Sequence, residues 1–292
     1  MTFDERVADR STTMSPAERR VARFFQAHRE EVMISSAASL AEKAKTSDAT
    51  VLRTSKALGF SGLDELRRAL AAEFRRDLTP TERLTRTLGE IGDDPSAALA
   101  ATVDIHVKAL ERLARDISPE QFGSAVARIA KAKRVLVFGI GPSSALAHYL
   151  AMQLARFGLD SGSLGATGLL FADDMRRLRP GDLVIILAYG RVYRELAALL
   201  DESHHLGLAT ILLTDTLAAT LRRQVDQVLP VARGRSDMLS MHTATLGLIE
   251  ALLVGVAAAR PRETLESLAA LNEARARLAG EPVDLPASEQ GG

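Results

Sequence analysis

Polar or basic residues recur at steps of three within one short segment. They are Ser47, Thr50, Arg53 and Lys56. Residues three apart in an α-helix are neighbours, so these side chains would lie along one side of a helix. An arginine can donate two hydrogen bonds to guanine, and hydroxyl and ammonium groups suit phosphate oxygens. The segment from Lys43 to Lys56 carries four positive charges, and only Asp48 opposes them. This chemistry favours contact with double-stranded DNA.

Two short helices joined by a tight turn are the elements that would position this polar side. The first is predicted to begin near Ser36. Ser47 is suited to cap the second helix, which we predict from Asp48 to Leu58 with Gly59 as its left-handed end. Three residues expected to face inward are Val51, Leu52 and Leu58. A helix–turn–helix unit places its second helix in the major groove of DNA. The alternative is an ordinary solvated helix face, which the ordered caps disfavour.

Further helices are predicted on both sides of this unit. Ser15 and Glu18 fit a capping box, with Pro16 at the first helical position of an amphipathic helix. Another amphipathic helix is expected from about Leu63. Residues 1–78 are therefore predicted to form an all-α helix–turn–helix domain.

Length and composition set the outer limits. The chain has 292 residues, of which 47% are hydrophobic and 25% charged, as in globular proteins with room for two domains. It has no cysteine, which excludes disulfides and thiolate metal sites and suits a reducing compartment. The N-terminus lacks an apolar signal core, and the apolar run from Leu246 to Ala259 is too short to span a membrane. We therefore expect a cytoplasmic protein without membrane association.

A break in the helical pattern separates the two halves of the chain. Residues 78–96 hold two prolines, two glycines and few large apolar side chains. Residues 79–95 are therefore predicted to be a linker. The helix that follows carries an apolar row suited to packing on the second domain or on another subunit. His106 on that helix has no partner at metal-ligand spacing, so no metal site is expected.

Short apolar strands alternate with helices in the rest of the chain. This pattern predicts an α/β domain with a parallel sheet and helices on both faces. The predicted strands are 134–138, 183–187, 210–213 and an edge strand at 227–231. The domain is assigned to residues 96–280, and residues 281–292 are expected to form a disordered tail.

Two loops follow strands at the edge of the sheet where ligands bind in such domains. In the first loop, Gly139 and Gly141 let the backbone approach a ligand, and the helix start near Ser144 would attract an anion. A dinucleotide site is disfavoured because Ser144 stands where a third glycine belongs, and a tight turn without a ligand remains open. The second loop and the helix start after it contain Tyr189, Arg191 and Arg194. Arginine side chains of this kind suit phosphate or carboxylate.

The N-terminal segment resembles the RpiR-type family of bacterial transcription regulators. The matching stretches are Met14–Ala22, Ser47–Arg53 and Leu58–Leu63, in the order and spacing of that family's DNA-binding domain. Two positions depart from the family pattern. Lys45 stands at a turn position where the family usually has glycine, which implies backbone strain if its φ is positive. Thr54 stands where the family usually has an aromatic or large apolar residue.

The second half resembles the sugar isomerase (SIS) domain, and the two halves together make the RpiR-type architecture. The resemblance implies that Ser143 contacts a phosphosugar. The second loop of that family usually follows a Ser-x-Ser-Gly-x-x-Thr-like pattern that surrounds phosphate with hydroxyls. This chain has Ala188, Gly190, Arg191 and Tyr193 at the patterned positions. We therefore expect a changed anionic ligand, with Arg191 and Arg194 replacing the lost hydroxyls.

The combined prediction is a homo-oligomeric regulator, a dimer or tetramer. Its expected partners are operator DNA and a small anionic effector, a phosphosugar or related acid. No cofactor or catalytic residue is expected, because Glu195, Asp215 and Glu250 lie in no motif that supplies the base of an isomerase. The alternatives are a sugar-phosphate isomerase or lyase with an accessory helical domain, and a scaffold in which both sites are inert.

Overall fold

The computed structural model describes residues 3–77, 79–92, 94–235 and 238–279, and the predicted tail at 281–292 lies outside them. The chain divides into two compact units, Met1–Thr87 and Leu88–Gly292. The first unit is helical, and the second is built on a β-sheet. The predicted order of fold classes, all-α and then α/β, is confirmed.

Six helices and most of a seventh make up the described part of the first unit. They are α1 (Phe3–Arg10), α2 (Pro16–Ala27), α3 (Arg29–Ile34), α4 (Ala37–Lys43), α5 (Asp48–Ala57), α6 (Leu63–Asp77) and α7 (Pro80–Ile91). Their apolar stripes enclose one core, in which Val21 of α2, Leu40 of α4 and Val51 of α5 are fully buried. Each such side chain contributes about 1.5–3 kcal/mol when it leaves water.

The predicted helix ends are confirmed at the level of hydrogen bonds. Ser15 Oγ accepts from the Glu18 amide, and the Glu18 carboxylate accepts from the Ser15 amide at 2.9 Å. Ser47 caps α5 by accepting from the Thr50 amide at 3.3 Å. Gly59 has a φ of +85°, the left-handed geometry that ends the helix. Lys45, in the turn between α4 and α5, has a φ of +52°, which a residue with a Cβ adopts only at a cost.

The stretch predicted to be a linker is mostly helical. Helix α7 occupies Pro80–Ile91, and the division between the two units falls inside it. Thr79 Oγ1 accepts from the Glu82 amide at 3.3 Å, and the Glu82 carboxylate accepts from the Thr79 amide at 2.7 Å. This is a capping box, and a proline at the first helical position favours a helix start. The stretch assigned as the connection between the domains is therefore helical over most of its length, and the division between the units lies within it.

The second unit alternates helices with strands. Its helices are α8 (Ala97–Asp116), α9 (Pro119–Lys131), α10 (Pro142–Arg156), α11 (Phe171–Met175), α12 (Arg194–His205), α13 (Ala218–Leu221), α14 (Thr243–Ala259) and α15 (Pro261–Ala279). Its strands are β1 (Arg134–Gly139), β2 (Asp160–Leu164), β3 (Leu183–Leu187), β4 (Ala209–Thr214) and β5 (Gln227–Pro230). All neighbours are parallel, in the order β2-β1-β3-β4-β5. The predicted parallel sheet is confirmed, and β2 is an addition to it.

Helices cover both faces of this sheet, as predicted. Val135 and Val137 of β1 pack in one core with α10 and α14, and Leu136 and Phe138 pack in the other with α11 and α12. Because every strand runs the same way, the loops after β1, β3, β4 and β5 meet at one edge. Within the described ranges, no single helix has the length and apolar character to cross a membrane, and α14 with α15 meets that test only as a pair bent by 106°.

Candidate DNA-binding face and ligand cavity

Burial divides α5 into two faces. The exposed residues, called the α5 face below, are Asp48, Ala49, Leu52, Arg53 and Lys56. The buried residues are Thr50, Val51, Thr54 and Ser55. At 3.6 residues per turn, each set occupies its own side of the helix. Of the predicted DNA contacts, Ser47, Arg53 and Lys56 are exposed, and Ser47 stands immediately before the helix as its cap.

Two predicted orientations on α5 are exchanged in the structure. Thr50 was expected to face DNA and is only 5% exposed, whereas Leu52 was expected to face inward and is 44% exposed. Buried hydroxyls on this helix keep their hydrogen bonds: Thr54 Oγ1 donates to the Thr50 carbonyl at 2.8 Å, and Ser55 Oγ donates to the Val51 carbonyl at 3.2 Å. Hydropathy alone gave the wrong orientation because a satisfied hydroxyl can be buried at little cost.

The buried Thr50 side chain orients Arg53, which belongs to the α5 face. Its Oγ1 lies 3.0 Å from Ser47 Oγ and accepts a hydrogen bond from Arg53 Nη2 at 3.2 Å. A guanidinium has five N–H donors, so this bond orients the group without exhausting it. Hydrogen bonds from Ser15 lower the pKa of Glu18, and the positive charge of Arg53 lowers it further. Arg53 therefore lies within electrostatic reach of the first turn of α2.

A cavity of about 360 Å³ opens at the carboxyl edge of the sheet in the second unit. Its walls come from the loops after β1 and β3 and from the segment between β5 and α14. Phe138, Leu187 and Leu196 make apolar parts of the wall. The polar lining includes Ser143, Thr167, Arg191, Tyr193, Arg233 and His242. This is where the sheet topology places a ligand.

The predicted ligand residues divide between the cavity and its supports. Those that line the cavity are Gly141, Ser143, Tyr189 and Arg191. Gly139, Ser144 and Arg194 are not among the lining residues. A Cβ at Gly139 would lie 2.6 Å from the Ser143 carbonyl oxygen, so glycine is needed where β1 meets α10. Ser144 Oγ donates to the Gly141 carbonyl at 2.7 Å, and Arg194 is an exposed residue at the start of α12. Gly139 and Ser144 therefore shape the loop.

Arg233 and Tyr189, which line the cavity, form a connected cluster with Asp215. Arg233 Nε donates to Asp215 Oδ2 at 3.0 Å, and its guanidinium carbon lies 4.6 Å from the centre of the Tyr189 ring. The Tyr189 hydroxyl lies 3.0 Å from Thr245 Oγ1. Burial raises the pKa of the Tyr189 phenol, so the hydroxyl stays protonated at neutral pH. Asp215 also accepts from the Gly190 amide at 3.2 Å, which ties the second loop to Arg233.

His242 adjoins this cluster from the start of α14. Its ring centre lies 5.3 Å from that of Tyr189, in an edge-to-face arrangement. Burial lowers the pKa of His242, and the positive charge of Arg233 lowers it further, so the imidazole is neutral at pH 7. His242 Nδ1 is buried and has no hydrogen-bond partner among the described residues. Such atoms are uncommon in proteins, and a ligand group in the cavity would satisfy this one.

Arg233 and His242 were not predicted from the sequence, although one signal pointed to them. Both follow β5, whose carboxyl end lies at the same sheet edge as the two predicted loops. The rule that ligands bind at this edge therefore covers them as well. They were not predicted because that segment holds a single glycine, Gly234, instead of the paired glycines that mark the first loop.

Two of the three acidic residues considered as possible bases already make other contacts. Glu195 accepts from the Gly168 amide at 2.9 Å, and Asp215 is paired with Arg233. Glu250 is exposed on α14. In the part of the chain that the structure describes, no group of three or more His, Asp or Glu side chains is arranged to hold a metal ion.

Comparison with known families assigns both units. Residues 1–77 match the family described as "Helix-turn-helix domain, rpiR family", and residues 128–255 match the SIS domain. A helix–turn–helix unit followed by a SIS domain defines a class of two-domain DNA-binding regulators. The first 77 residues belong to the rpiR helix–turn–helix family, and the second unit of this chain carries the SIS domain.

The curated relatives include bifunctional proteins from Burkholderia. The "Bifunctional protein glk" of Burkholderia orbicola (strain AU 1054) is 28% identical over 280 residues, covering 94% of this chain and 42% of the relative. The protein of the same name from Burkholderia mallei is 28% identical over 269 residues, covering 90% of this chain and 41% of the relative. The chain thus spans about two fifths of the length of these relatives.

Solved structures share the fold. The sugar isomerase domain of an RpiR transcription factor from Sphaerobacter thermophilus is 26% identical, with a TM-score of 0.55, and the match covers 60% of this chain and 97% of that one. The NanR protein of Vibrio vulnificus, solved in complex with ManNAc-6P, is 21% identical with a TM-score of 0.58 over 95% of this chain and 99% of that one. At its level of identity, the NanR match shows the fold alone.

Proposed function

We propose that the protein is a transcription regulator that binds operator DNA through the α5 face and senses a small anionic metabolite in the cavity. The observation that carries the proposal is the two-sided α5 in a helix–turn–helix domain of the rpiR type. Val51 anchors one side in the core, while Arg53 and Lys56 face solvent on the other. A helix enters the major groove in this arrangement. Because bacterial DNA lies in the cytoplasm, we place the protein there.

Self-association would give the regulator at least two DNA-binding domains. A dimer or tetramer could then bind half-sites about one DNA turn apart, or a multiple of that distance. Helix α8 supports this part of the proposal, because Leu99 is 74% exposed and Val103 and Val107 are about half exposed along one row. An exposed apolar row of this kind suits contact with a second copy. Analytical ultracentrifugation of the full chain measures the assembly.

The effector is expected to be a phosphosugar or a related acid. Ser143 brings a hydroxyl to the cavity, and Arg191 and Arg233 bring two guanidinium groups. Ala188 and Gly190 supply no hydroxyl. We therefore expect the arginine side chains to contribute more to anion binding than the hydroxyls. The NanR protein of Vibrio vulnificus, which has the same fold, was solved with a phosphosugar, ManNAc-6P.

We expect binding of this effector without turnover, because Glu195 and Asp215 already hold structural hydrogen bonds. One observation favours the alternative, a sugar-phosphate isomerase or lyase with an accessory helical domain. His242 is a neutral imidazole in the cavity wall with an unpartnered Nδ1, and a general base must be neutral before it takes a proton.

Parallel assays of the full chain separate the two functions. The first assay selects duplexes from a random DNA library and measures a mobility shift with the upstream region of the gene. The second follows turnover of a panel of sugar phosphates, and calorimetry measures binding of the same panel and of small organic acids. The proposal expects an enriched sequence, affinity that falls as salt rises, binding of an anion and no turnover. Turnover without sequence-preferring DNA binding would instead establish the alternative.

A further inference from the structure

Leu52 is an apolar side chain of the α5 face, in the first half of the helix. It is 44% exposed, while the adjacent Val51 is fully buried. Ala49 lies three residues before Leu52 and Lys56 four residues after it, so both are its neighbours on the helix surface. Ala49 is exposed as well. The beginning of the face therefore carries a small apolar patch formed by Ala49 and Leu52.

The charges around this patch match a nucleic acid. Lys45, Arg53 and Lys56 are exposed on or beside the α5 face and are complementary to phosphate groups. The N-terminal residues of a recognition helix contact base edges in the major groove. Ala49 and Leu52 occupy that N-terminal part of α5.

Thymine offers the one apolar group that base pairs present in the major groove, its C5-methyl. The other major-groove groups are hydrogen-bond donors and acceptors, which a leucine cannot pair with. Leu52 contributes favourably to the free energy of DNA binding only where the contact removes apolar surface from water. A thymine methyl satisfies that condition.

We propose that Leu52, with Ala49 beside it, contacts thymine methyl groups and thereby selects thymine in each operator half-site. The inference rests on the proposed function and names what the α5 face recognises. Arg53, the next residue, would donate to a guanine in a neighbouring base pair. Leu52 is then a specificity-determining residue, and Lys56 serves phosphate.

Deoxyuridine isolates this contact, because it lacks the methyl group of thymine and keeps the same hydrogen-bonding edge. The full chain first selects its preferred sequence from a random duplex library. Each thymine of that sequence is then replaced by deoxyuridine, and the dissociation constant is measured at fixed salt. For the parent protein, each contacted methyl should be worth about fourfold in affinity, as for burial of a methylene-sized group. Leu52→Ala should lose this difference, and Leu52→Met, which keeps an apolar side chain, should retain it.

Leu84→Ala is the matched control, because Leu84 has a similar exposure, 42%, on a different helix, α7. That variant should keep the sensitivity to deoxyuridine. Thermal unfolding checks that Leu52→Ala is folded, as its half-exposed side chain leads us to expect. The inference is overturned if the protein binds its selected sequence but no thymine is sensitive, or if Leu52→Ala keeps the sensitivity. Failure to select any sequence would instead overturn the proposed function, and this inference with it.

Discussion

Arg53 and Lys56 carry the same charge on one helix face, but their removal should have different effects. Arg53→Ala is expected to weaken operator binding by about 1–3 kcal/mol and to relax the base preference at one position, because a forked donor to guanine is lost. Lys56→Ala should weaken binding to every duplex similarly and reduce the salt slope by about one. Anisotropy titrations on operator and scrambled duplexes at several salt concentrations measure both effects.

Thermal unfolding of the same two variants provides the control. Both side chains are exposed, so the thermal unfolding midpoint should stay close to that of the parent. Unchanged affinity and unchanged sequence preference in Arg53→Ala would refute the assigned role of Arg53.

His242 should make stability depend on pH. Burial and Arg233 lower its pKa in the folded protein below the ordinary value of 6.5, although Asp215 opposes the effect. The unfolded chain therefore binds the proton more readily, and stability falls as the pH drops below about 6.5. His242→Asn should lose less stability than the parent between about pH 7.5 and pH 5.5, as measured by denaturant midpoints. His148→Asn, which changes an exposed histidine of α10, is the matched control for the substitution.

Ser47 caps helix α5 and is also proposed to contact DNA, so it affects both the stability of the helix and DNA binding. Ser47→Ala removes the cap and should destabilise the first unit by about 1 kcal/mol. Ser47→Asp keeps a good cap, so stability should be retained, but the added negative charge should weaken DNA binding. Denaturant unfolding and DNA titration of both variants separate the two roles. Equal DNA affinity for Ser47→Asp and the parent would remove Ser47 from the DNA-binding surface.

Elements with strong local signals could be predicted from the sequence. The caps at Ser15 and Ser47 follow from side-chain chemistry, and β3 follows from a continuous apolar run. Helix α7 was missed because Pro80 was taken as a break, whereas a proline after a capping threonine starts a helix. Strand β2 was missed because Asp160–Leu164 is mostly polar and exists as a strand through its pairing with β1.

Only those residues of the candidate sites that belong to a local sequence motif were predicted. The glycine-containing first loop led to Gly141 and Ser143, and the unusual second loop led to Arg191. Arg233 and His242 are about a hundred residues from the first loop, and they become its neighbours through the order of the strands. The error at Leu52 has another cause. Hydropathy does not show that the neighbouring hydroxyls find hydrogen-bond partners in the fold, and these partners allow the hydroxyls to be buried in place of Leu52.

The division between the two compact units falls within helix α7. Glu90, near its end, accepts two hydrogen bonds from Arg235 at 2.6 and 2.7 Å. Arg235 lies two residues after Arg233 of the cavity wall, and the backbone of Gly234 between them passes close to Ile105 of α8. Within the second unit, a short run of contacts thus leads from the cavity to α7.

Glu90→Gln should therefore weaken the influence of the effector on DNA binding. We expect the fold-change in operator affinity caused by a saturating effector to fall toward one. Operator affinity without effector, and effector affinity without DNA, should change little. Coupling between two sites is commonly about 1–3 kcal/mol, so the loss of a few contacts can remove much of it. The ion pair itself is exposed and should contribute about 0–1 kcal/mol to stability.

Glu266→Gln provides the comparison for this experiment. It removes an exposed ion pair with Arg262 within α15, which does not involve Arg235 or α7, and should keep the fold-change of the parent. Operator titrations of the three proteins, with and without the sugar phosphate or organic acid found by calorimetry, measure the coupling. If Glu90→Gln shows the full fold-change of the parent, the effector must act on the α5 face by a route that does not pass through Arg235, and the contact with α7 is then structural only.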